Sequence, residues 1–337
     1  MMELLSPAGS REALIAAVQN GADAVYFGGS MFNARRFAAN FDDHGLISAI
    51  DYCHERGVKV NITLNTLLLD KEISQALKYA EFLCRTGADA AIVQDMGLVS
   101  LIRKNIPELP LHASTQMGIH ELNGAREAEK MGLEQVVLSR EVPLGEIEYI
   151  HNNTPIALEA FAHGALCMSV SGQCYLSSVL GERSGNRGRC AQPCRLDFKS
   201  HGRGYALSLK DLTLTDHLRE LEALGVASFK IEGRLKRPEY VAAAVTACRQ
   251  SLAGEVPDLE TLRSVFSRSG FTDGYYTARR DLTMFGTRTR EDAAAAAAVQ
   301  GKLSALTRNE VGRLPVDMVL TMAPGEPATL AVTDGTH

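Results

Sequence analysis

Three stretches of the chain repeat one pattern: Gly21–Phe27 reads GADAVYF, Gly87–Val93 reads GADAAIV and Gly225–Ile231 reads GVASFKI. Each stretch begins with a glycine of the kind that ends a helix and continues into a short apolar run with β propensity. Such recurrence is typical of internally similar strand–helix units. The three stretches therefore predict a parallel sheet whose strands alternate with helices.

The same unit recurs along residues 1–255, where short apolar runs alternate with amphipathic segments that often end at glycine. Eight such units predict an α/β fold of the (β/α)8 TIM-barrel type. A doubly wound open sheet is the alternative, but it usually has fewer units, and FGGSMF at Phe27–Phe32 lacks the GxGxxG spacing of a phosphate loop. The predicted strands are Glu3–Ser6, Ala24–Phe27, Val58–Asn65, Ala90–Val93, Leu111–Ala113, Gln135–Leu138, Pro155–Ala162 and Ala227–Ile231.

The remaining segments are predicted to be additions to the barrel. A cysteine-rich insert at 163–204 follows the seventh strand, and a helix is predicted near Leu212–Leu224. Residues 256–290 are predicted to be an irregular extension. Residues 291–337 are predicted to be a helix or linker followed by the start of a small β-domain, because the runs flanking Ala323–Pro327 alternate with period two. A lone hairpin is marginally stable, so we interpret the chain as a fragment or shortened form of a longer protein.

Composition limits the classes of function. The chain has 337 residues, of which 45% are hydrophobic and 22% charged, and its net charge is −5. This charge argues against a generally basic nucleic-acid-binding protein, although it allows a local basic patch. The N-terminus lacks the basic and apolar regions of a signal peptide, and no uncharged stretch is long enough to span a membrane. We therefore expect a cytoplasmic protein without a membrane partner.

Four of the seven cysteines lie within Glu159–Cys194 with the spacing C-x6-C-x15-C-x3-C. In a reducing compartment, clustered thiols are more often metal ligands or redox groups than disulfides. Structural zinc sites usually pair two short C-x2–4-C knuckles, whereas iron–sulfur sites accept wider spacing because each cysteine comes from its own loop. The spacing slightly favours an iron–sulfur cluster over zinc, and unliganded thiols remain open. The candidate ligands are Cys167, Cys174, Cys190 and Cys194.

Polar residues gather near the carboxyl ends of the predicted strands, where TIM barrels carry their active sites. Arginines among them would hold a carboxylate or a phosphate. Each residue could instead cap a helix, form a buried ion pair or be a core histidine. The candidate acid/base residues are Glu159, His163, His112 and Glu232. The candidate substrate-binding residues are Asn33, Arg35, Asn65, Gln94, Gln116, Arg140, Lys230 and Arg234.

The cysteine-rich insert is also basic. A charge run of this kind is most often a solvated face, but beside a barrel mouth it also suits a phosphate, a carboxylate or an RNA backbone. Its basic residues, against the acidic Glu182 and Asp197, are Arg183, Arg187, Arg189, Arg195, Lys199 and Arg203.

Long motifs in the chain resemble a known family. Residues 159–177, EAFAHGALCMSVSGQCYLS, resemble the signature of the peptidase U-32 (collagenase-like) family, E-x-F-x2-G-[SA]-hydrophobic-C-x4-G-x-C-x-hydrophobic-S. Further similarity lies in ELLSPAG at 3–9, GADAVYFGG at 21–29, NRGRCAQPCR at 186–195 and FKIEGR at 229–234. The resemblance runs from residue 2 to about 285. IVQDMG, LHASTQ and VVLSRE resemble most the branch that hydroxylates a cytidine in large-subunit ribosomal RNA.

This resemblance implies a barrel, an oxygen-sensitive [4Fe–4S] cluster on four cysteines, and hydroxylation of ribosomal or transfer RNA. It also implies prephenate as the small carboxylate that supplies the hydroxyl group, and an electron donor or accessory protein as a further partner. A subunit in a related branch has a cysteine near the FKIEGR position, where this chain has Glu232. Cys194 is therefore assigned as the fourth ligand.

The family name also implies a collagenase-like peptidase, which stays open as an alternative. HExxH and GxSxG motifs are absent from the sequence, but Cys167 and His163 could form a nucleophile pair. One nucleophile would not require four clustered cysteines. A second alternative is a non-catalytic assembly subunit whose cluster is structural.

Overall fold

Eight parallel strands close into a barrel in the computed structural model, which describes residues 2–34, 40–299, 301, 303, 306 and 316–333. Seven strands follow one another in chain order, and the eighth barrel strand, β9, pairs with both β7 and β1. The predicted TIM-type barrel is thus confirmed and an open sheet is excluded. The strands are β1 (Glu3–Pro7), β2 (Ala24–Phe27), β3 (Lys59–Leu64), β4 (Ala90–Val93), β5 (Leu111–Ala113), β6 (Gln135–Val137), β7 (Ala157–Ala165), β8 (Asp211–Thr213), β9 (Ser228–Ile231), β10 (Phe271–Thr272), β11 (Asp317–Thr321) and β12 (Thr329–Thr333).

Helices surround the barrel and bury their apolar faces against the strands. Leu14, Leu46, Leu83 and Ile102 are completely buried in this layer. No helix among the described residues is long and apolar enough to cross a membrane. The helices are α1 (Arg11–Gln19), α2 (Asp43–His54), α3 (Asp70–Arg85), α4 (Met96–Asn105), α5 (Leu122–Lys130), α6 (Leu144–Asn153), α7 (Leu176–Gly181), α8 (Leu218–Leu224), α9 (Pro238–Leu252), α10 (Leu259–Val265) and α11 (Arg290–Ala298).

The GAD repeat has a structural explanation. Gly87 follows α3 at φ +85°, a left-handed conformation that glycine adopts without the steric cost of a side chain. The next aspartate then ties the incoming strand to its neighbour: the Asp89 carboxylate accepts a hydrogen bond from the Val60 N–H at 2.7 Å. Asp23 does the same for the Leu4 N–H at 2.8 Å. Each of the two GAD stretches therefore ends a helix, starts a strand and ties that strand to its neighbour.

One predicted helix begins later than expected. The helix expected near Leu212–Leu224 starts only at Leu218, since residues 211–213 form β8. This strand pairs antiparallel with the last residues of β7, which extends past the barrel after an irregularity in its pairing between Phe161 and His163. The short β10 pairs with β8, so part of the segment expected to be irregular joins the sheet. Tertiary pairing overrides the local helical pattern here.

The last described strands, β11 and β12, form an antiparallel hairpin whose residues are all exposed. The helix α11 precedes it and also buries no residue. The division of the chain into a barrel, an extension and the start of a β-domain stays a prediction.

Candidate active site

A cavity of about 260 Å³ lies at the mouth of the barrel, beyond the carboxyl ends of the strands. The segment that joins β7 to β8, residues 166–210 and hereafter the cysteine segment, forms one of its walls. All four cysteines predicted as ligands line this cavity. The other predicted site residues that line it are Asn65, Gln116, Arg140, Lys230, Glu232 and Arg234.

Hydrogen-bond donors point at two of the thiols. The Leu176 N–H lies 3.4 Å from Cys174 Sγ, and the Gln192 N–H lies 3.4 Å from Cys190 Sγ. The Ser177 hydroxyl lies 3.8 Å from Cys190 Sγ and accepts a hydrogen bond from the Ala191 N–H at 3.1 Å. Donors to sulfur stabilise a thiolate and tune a bound metal centre. Cys174 and Cys190 thus each have a backbone N–H directed at sulfur.

The four thiols lie close enough to influence one another. Burial raises the pKa of the Cys194 thiol; nearby Arg195 opposes that rise, and the other three cysteines add to it. All seven cysteines are free thiols. Among the described residues, no group of three or more His, Cys, Asp or Glu side chains is arranged to hold a single metal ion. The donor set fits a [4Fe–4S] cluster, because that group takes four thiolates on four separate irons.

Close backbone packing positions the loop between the first two cysteines. Gly172 has φ +78°, and a Cβ there would lie 2.7 Å from the Gln116 Cα. Only glycine allows this loop to pack against the turn after β5. The Gln173 amide then donates to the Gln116 carbonyl at 3.0 Å, which fixes the loop at the cavity wall.

The segment between the second and third cysteines crosses to the opposite side of the mouth. Arg187 donates from both Nη atoms to the Glu72 carboxylate, at 3.0 and 2.7 Å, and thereby lowers the pKa of Glu72. Asn186 donates to Gln94 Oε1 at 2.8 Å and accepts from the Leu67 N–H at 3.0 Å. These contacts hold the cysteine segment against the loops that follow β3 and β4. We call Asn186, Arg187 and Glu72 the clasp.

The cavity lining is strongly cationic. Among its described side chains there are six cations and one acid, Glu232. Two more carboxylates lie behind the lining: Glu159, which pairs with Lys230 at 2.7 Å, and Asp211, which pairs with Arg268 at 2.5 Å. Six cations against three acids leave an excess of three positive charges when Lys236 is protonated and of two when it is not. The cations are Arg140, Arg195, Lys230, Arg234, Lys236 and Arg268.

Two of these cations form no ion pair with a described residue. Arg195 donates to the carbonyl oxygens of Leu166 and Leu209, and burial lowers the pKa of its guanidinium. Burial also lowers the pKa of Lys236 to about 7, and its ammonium lies over the Phe266 ring. Cations held in a cavity without a directly paired carboxylate favour an anionic ligand.

Arg140 and Glu232 form the ion pair that faces the cavity. Arg140 Nη2 donates to Glu232 Oε2 at 2.7 Å, and its guanidinium stacks 4.0 Å from the centre of the Phe161 ring. Arg234 donates to Thr63 Oγ1 at 2.8 Å and lies beside the Tyr26 ring. Asn65 is held by Ser114 and by the Ala34 N–H. These side chains are fixed before any ligand binds.

Glu159 and His112 do not line the cavity. Glu159 is fully buried and pairs in register with Ser228, the first residue of β9, so it lies toward the amino end of the barrel interior. Gln135 donates to it at 2.6 Å in addition to Lys230. Burial lowers the pKa of His112 to about 4. Their catalytic roles stay predictions, and their positions favour a structural network.

His163 lies on the outer side of β7. Its ring contacts the rings of Tyr240 and Phe271, with centroid separations of 5.6 and 5.2 Å. Complete burial lowers the pKa of His163 to about 3, which keeps the imidazole neutral. Since Cys167 lines the cavity and His163 does not, the structure does not favour the predicted nucleophile pair.

Three other predicted residues lie elsewhere. Asn33 lines a separate groove of about 880 Å³ and donates to the Gly29 carbonyl. Gln94 is buried beneath the clasp, where it accepts from Asn186 and reaches the Gln116 carbonyl. Arg35 lies outside the described residues.

Three of the cavity cations are not among the predicted site residues: Arg195, Lys236 and Arg268. Arg195 belongs to the basic run of the cysteine-rich insert, and Lys236 lies two residues after FKIEGR. Arg268 carried no signal, because it lies in a segment expected to be irregular and reaches the cavity only through the pairing of β10 with β8.

Together the fold and the cavity define a class of protein: a (β/α)8 barrel that presents four thiols and a cationic lining at the mouth where such barrels bind ligands. The sequence model of peptidase family U32 matches residues 9–285. The chain belongs to peptidase family U32.

Curated relatives have different functions. The chain is 41% identical to the 23S rRNA 5-hydroxycytidine C2501 synthase of Escherichia coli (strain K12), over 84% of this chain and 44% of that protein. It is 35% identical to a collagenase of Porphyromonas gingivalis, over 82% of this chain and 74% of the relative. It is 31% identical to the tRNA hydroxylation protein P of E. coli, over 81% and 74%. The chain thus spans less than half the length of the first relative.

Proposed function

We propose that this protein hydroxylates a pyrimidine, and specifically a ribosomal RNA cytidine, with a [4Fe–4S] cluster held by Cys167, Cys174, Cys190 and Cys194. The observation that carries this proposal is the convergence of these four thiols on one cationic cavity at the barrel mouth. Similarity to an rRNA hydroxycytidine synthase over most of the chain supports RNA as the substrate, with transfer RNA as the other candidate.

The cluster would transfer electrons in the hydroxylation, a role that side chains without redox activity cannot fill. The protein contributes the four thiolates and the N–H groups of Leu176 and Gln192, which favour the charged sulfur. The clasp holds the stretch between Cys174 and Cys190 against the loops that follow β3 and β4. A cytoplasmic electron donor or accessory protein would serve as a further partner.

The cationic lining supports a small carboxylate co-substrate, for which prephenate is the candidate. Arg195 and Lys236 form no direct ion pair with a described carboxylate, and Arg234 adds a fixed guanidinium. The Arg140–Glu232 pair lies beside them, so Glu232 Oε2 is the oxygen best placed to accept or return a proton. Arg140 would hold the Glu232 carboxylate in place until a substrate competes for its guanidinium.

Anaerobic purification and analysis of modified nucleosides test the proposal. We expect iron and sulfide in about equal amounts with the wild-type protein, and their loss in Cys174→Ser. Cys84→Ser is the matched control, because Cys84 is a half-buried thiol outside the cavity. RNA from a strain lacking the gene should lose one hydroxylated pyrimidine, which the wild-type gene restores and Cys174→Ser does not. An iron-free wild-type protein, or an unchanged nucleoside profile, would refute the proposal.

A collagenase-like peptidase is the second candidate, which the similarity to the P. gingivalis collagenase favours. Gelatin cleavage by the purified protein measures it directly. Cleavage that survives Cys174→Ser but not Cys167→Ser would support a thiol nucleophile. A cluster-containing protein with neither activity would instead indicate an assembly subunit.

A further inference from the structure

The helix α7, which follows Cys174 directly, presents an apolar face to solvent. Its six residues bury only Ser177. Tyr175, just before the helix, is 71% exposed, Val179 is 79% exposed and Leu180 is 58% exposed. None of these side chains belongs to the buried core of the barrel, and an exposed aromatic beside two aliphatics forms an apolar surface to which a partner can bind.

The surroundings of this face are basic. The cysteine segment has seven Lys and Arg residues and two acidic residues, so its net charge is +5 within a chain whose net charge is −5. The remainder of the chain therefore carries −10. The positive cysteine segment attracts a polyanion, and the negative remainder of the chain repels it.

Hydrogen bonds fix α7 to the wall of the cavity. Arg183 Nε donates to the Arg189 carbonyl at 3.0 Å, and the Ala191 N–H donates to Ser177 Oγ at 3.1 Å. The same stretch supplies Gly188 and Cys190 to the cavity lining. The apolar face and the exposed Arg189 thus lie on the rim of the proposed active site.

We propose that Tyr175, Val179, Leu180 and Arg189 form a platform that binds single-stranded RNA beside the barrel mouth. The inference rests on the proposed function and adds the surface that positions the substrate. An exposed aromatic ring stacks on a base of any sequence, while neighbouring arginines bind the phosphates.

The dimensions of the cavity support this arrangement. A volume of about 260 Å³ holds a base or a small carboxylate, but no part of a folded RNA helix. The target nucleotide must therefore leave its stack to enter, and the strand next to it needs a surface that compensates for lost stacking. A ring on the cavity rim supplies that surface.

Binding of a fluorescein-labelled RNA of about 16 nucleotides and mixed sequence tests the platform without turnover. By fluorescence anisotropy we expect Tyr175→Ala to weaken binding about tenfold, and Tyr175→Phe to stay within about twofold of wild type because it keeps the ring. Tyr149→Ala is the matched control, since Tyr149 is 53% exposed on α6. Arg189→Gln should reduce the slope of log affinity against log salt by about one, whereas Arg85→Gln on α3 should not.

Iron content and visible absorbance of each variant must match wild type, so that a lost cluster is not read as lost binding. Unchanged RNA affinity in Tyr175→Ala would overturn the inference even if RNA hydroxylation is established. If Tyr175→Ala keeps its RNA affinity but its turnover falls only when a reductant protein supplies the electrons, the apolar face binds a protein partner instead of RNA. Lost affinity in Tyr175→Ala, together with an unchanged nucleoside profile in the deletion strain, would keep the platform and remove the proposed hydroxylation.

Discussion

The buried Glu159–Lys230 pair should respond unequally to loss of its two members. Lys230→Met leaves the Glu159 carboxylate fully buried with one neutral donor, Gln135 Nε2 at 2.6 Å. Removing one partner of such a pair typically costs about 3–5 kcal/mol. Glu159→Gln leaves an ammonium that still lines the cavity and lies 4.2 Å from the centre of the Tyr26 ring. The Tyr26 ring still stabilises that cation, so we expect Glu159→Gln to lower the free energy of unfolding by less, about 1–3 kcal/mol.

Urea unfolding of the anaerobic protein, followed by circular dichroism, measures these changes. The double variant Glu159→Gln/Lys230→Met should be more stable than Lys230→Met alone, because no charge then remains unpaired. Turnover separates a structural carboxylate from a catalytic one: Glu159→Gln should retain hydroxylation at temperatures where it stays folded. A folded Glu159→Gln protein without turnover, or a Lys230→Met variant less destabilised than Glu159→Gln, would refute this reasoning.

Three further outcomes follow from the site. Arg187→Gln breaks the clasp at the partly exposed Glu72, so it should cost less than about 1 kcal/mol of stability. Because the clasp holds the stretch between Cys174 and Cys190 in place, this variant should also speed the loss of visible absorbance in air, and an unchanged decay rate would contradict that role. Binding of prephenate, measured by calorimetry, should weaken as pH rises through about 7 as Lys236 loses its proton, and Lys236→Arg should remove that dependence. Because burial lowers the pKa of His163 to about 3, the neutral imidazole adds stability that is present above its unfolded pKa and is lost as pH falls toward 3. In His163→Phe, the urea concentration at the unfolding midpoint should therefore depend less on pH between about pH 4 and 6.5.

The barrel was predictable because its signals are local. A glycine that ends a helix, a buried alanine and an aspartate that accepts from the neighbouring strand lie next to one another in Gly87–Asp89, and the pattern recurs along the chain. This pattern can be recognised in the sequence without knowledge of any long-range contact. The strands β8 and β10 were missed for the opposite reason: each has two or three residues, and they exist only because the end of β7 provides a partner.

The site was predictable in its thiols and less so in its acids and bases. Sequence spacing shows that cysteines are clustered, and all four line the cavity. It does not show how far along a strand a residue lies, or to which side it points. Glu159 and His163 are four residues apart on β7, yet the first lies deep in the barrel and the second faces α9. The irregular pairing between Phe161 and His163 separates them, and nothing local in the sequence reports it.

The charge of the cavity links the cysteines to the rest of the site. An excess of two to three positive charges around a cavity of about 260 Å³ is a cost to the empty protein, since cations repel one another where water is scarce. In the proposed loaded state, the four cysteines would bind as thiolates and the co-substrate as a carboxylate, and these anions would relieve that repulsion. Because a ligand that binds only the folded state stabilises that state, the same cations that weaken the empty barrel would stabilise the loaded one. The cationic lining would therefore lower the stability of the empty barrel and raise its affinity for anionic ligands at the mouth, where the four thiols also lie.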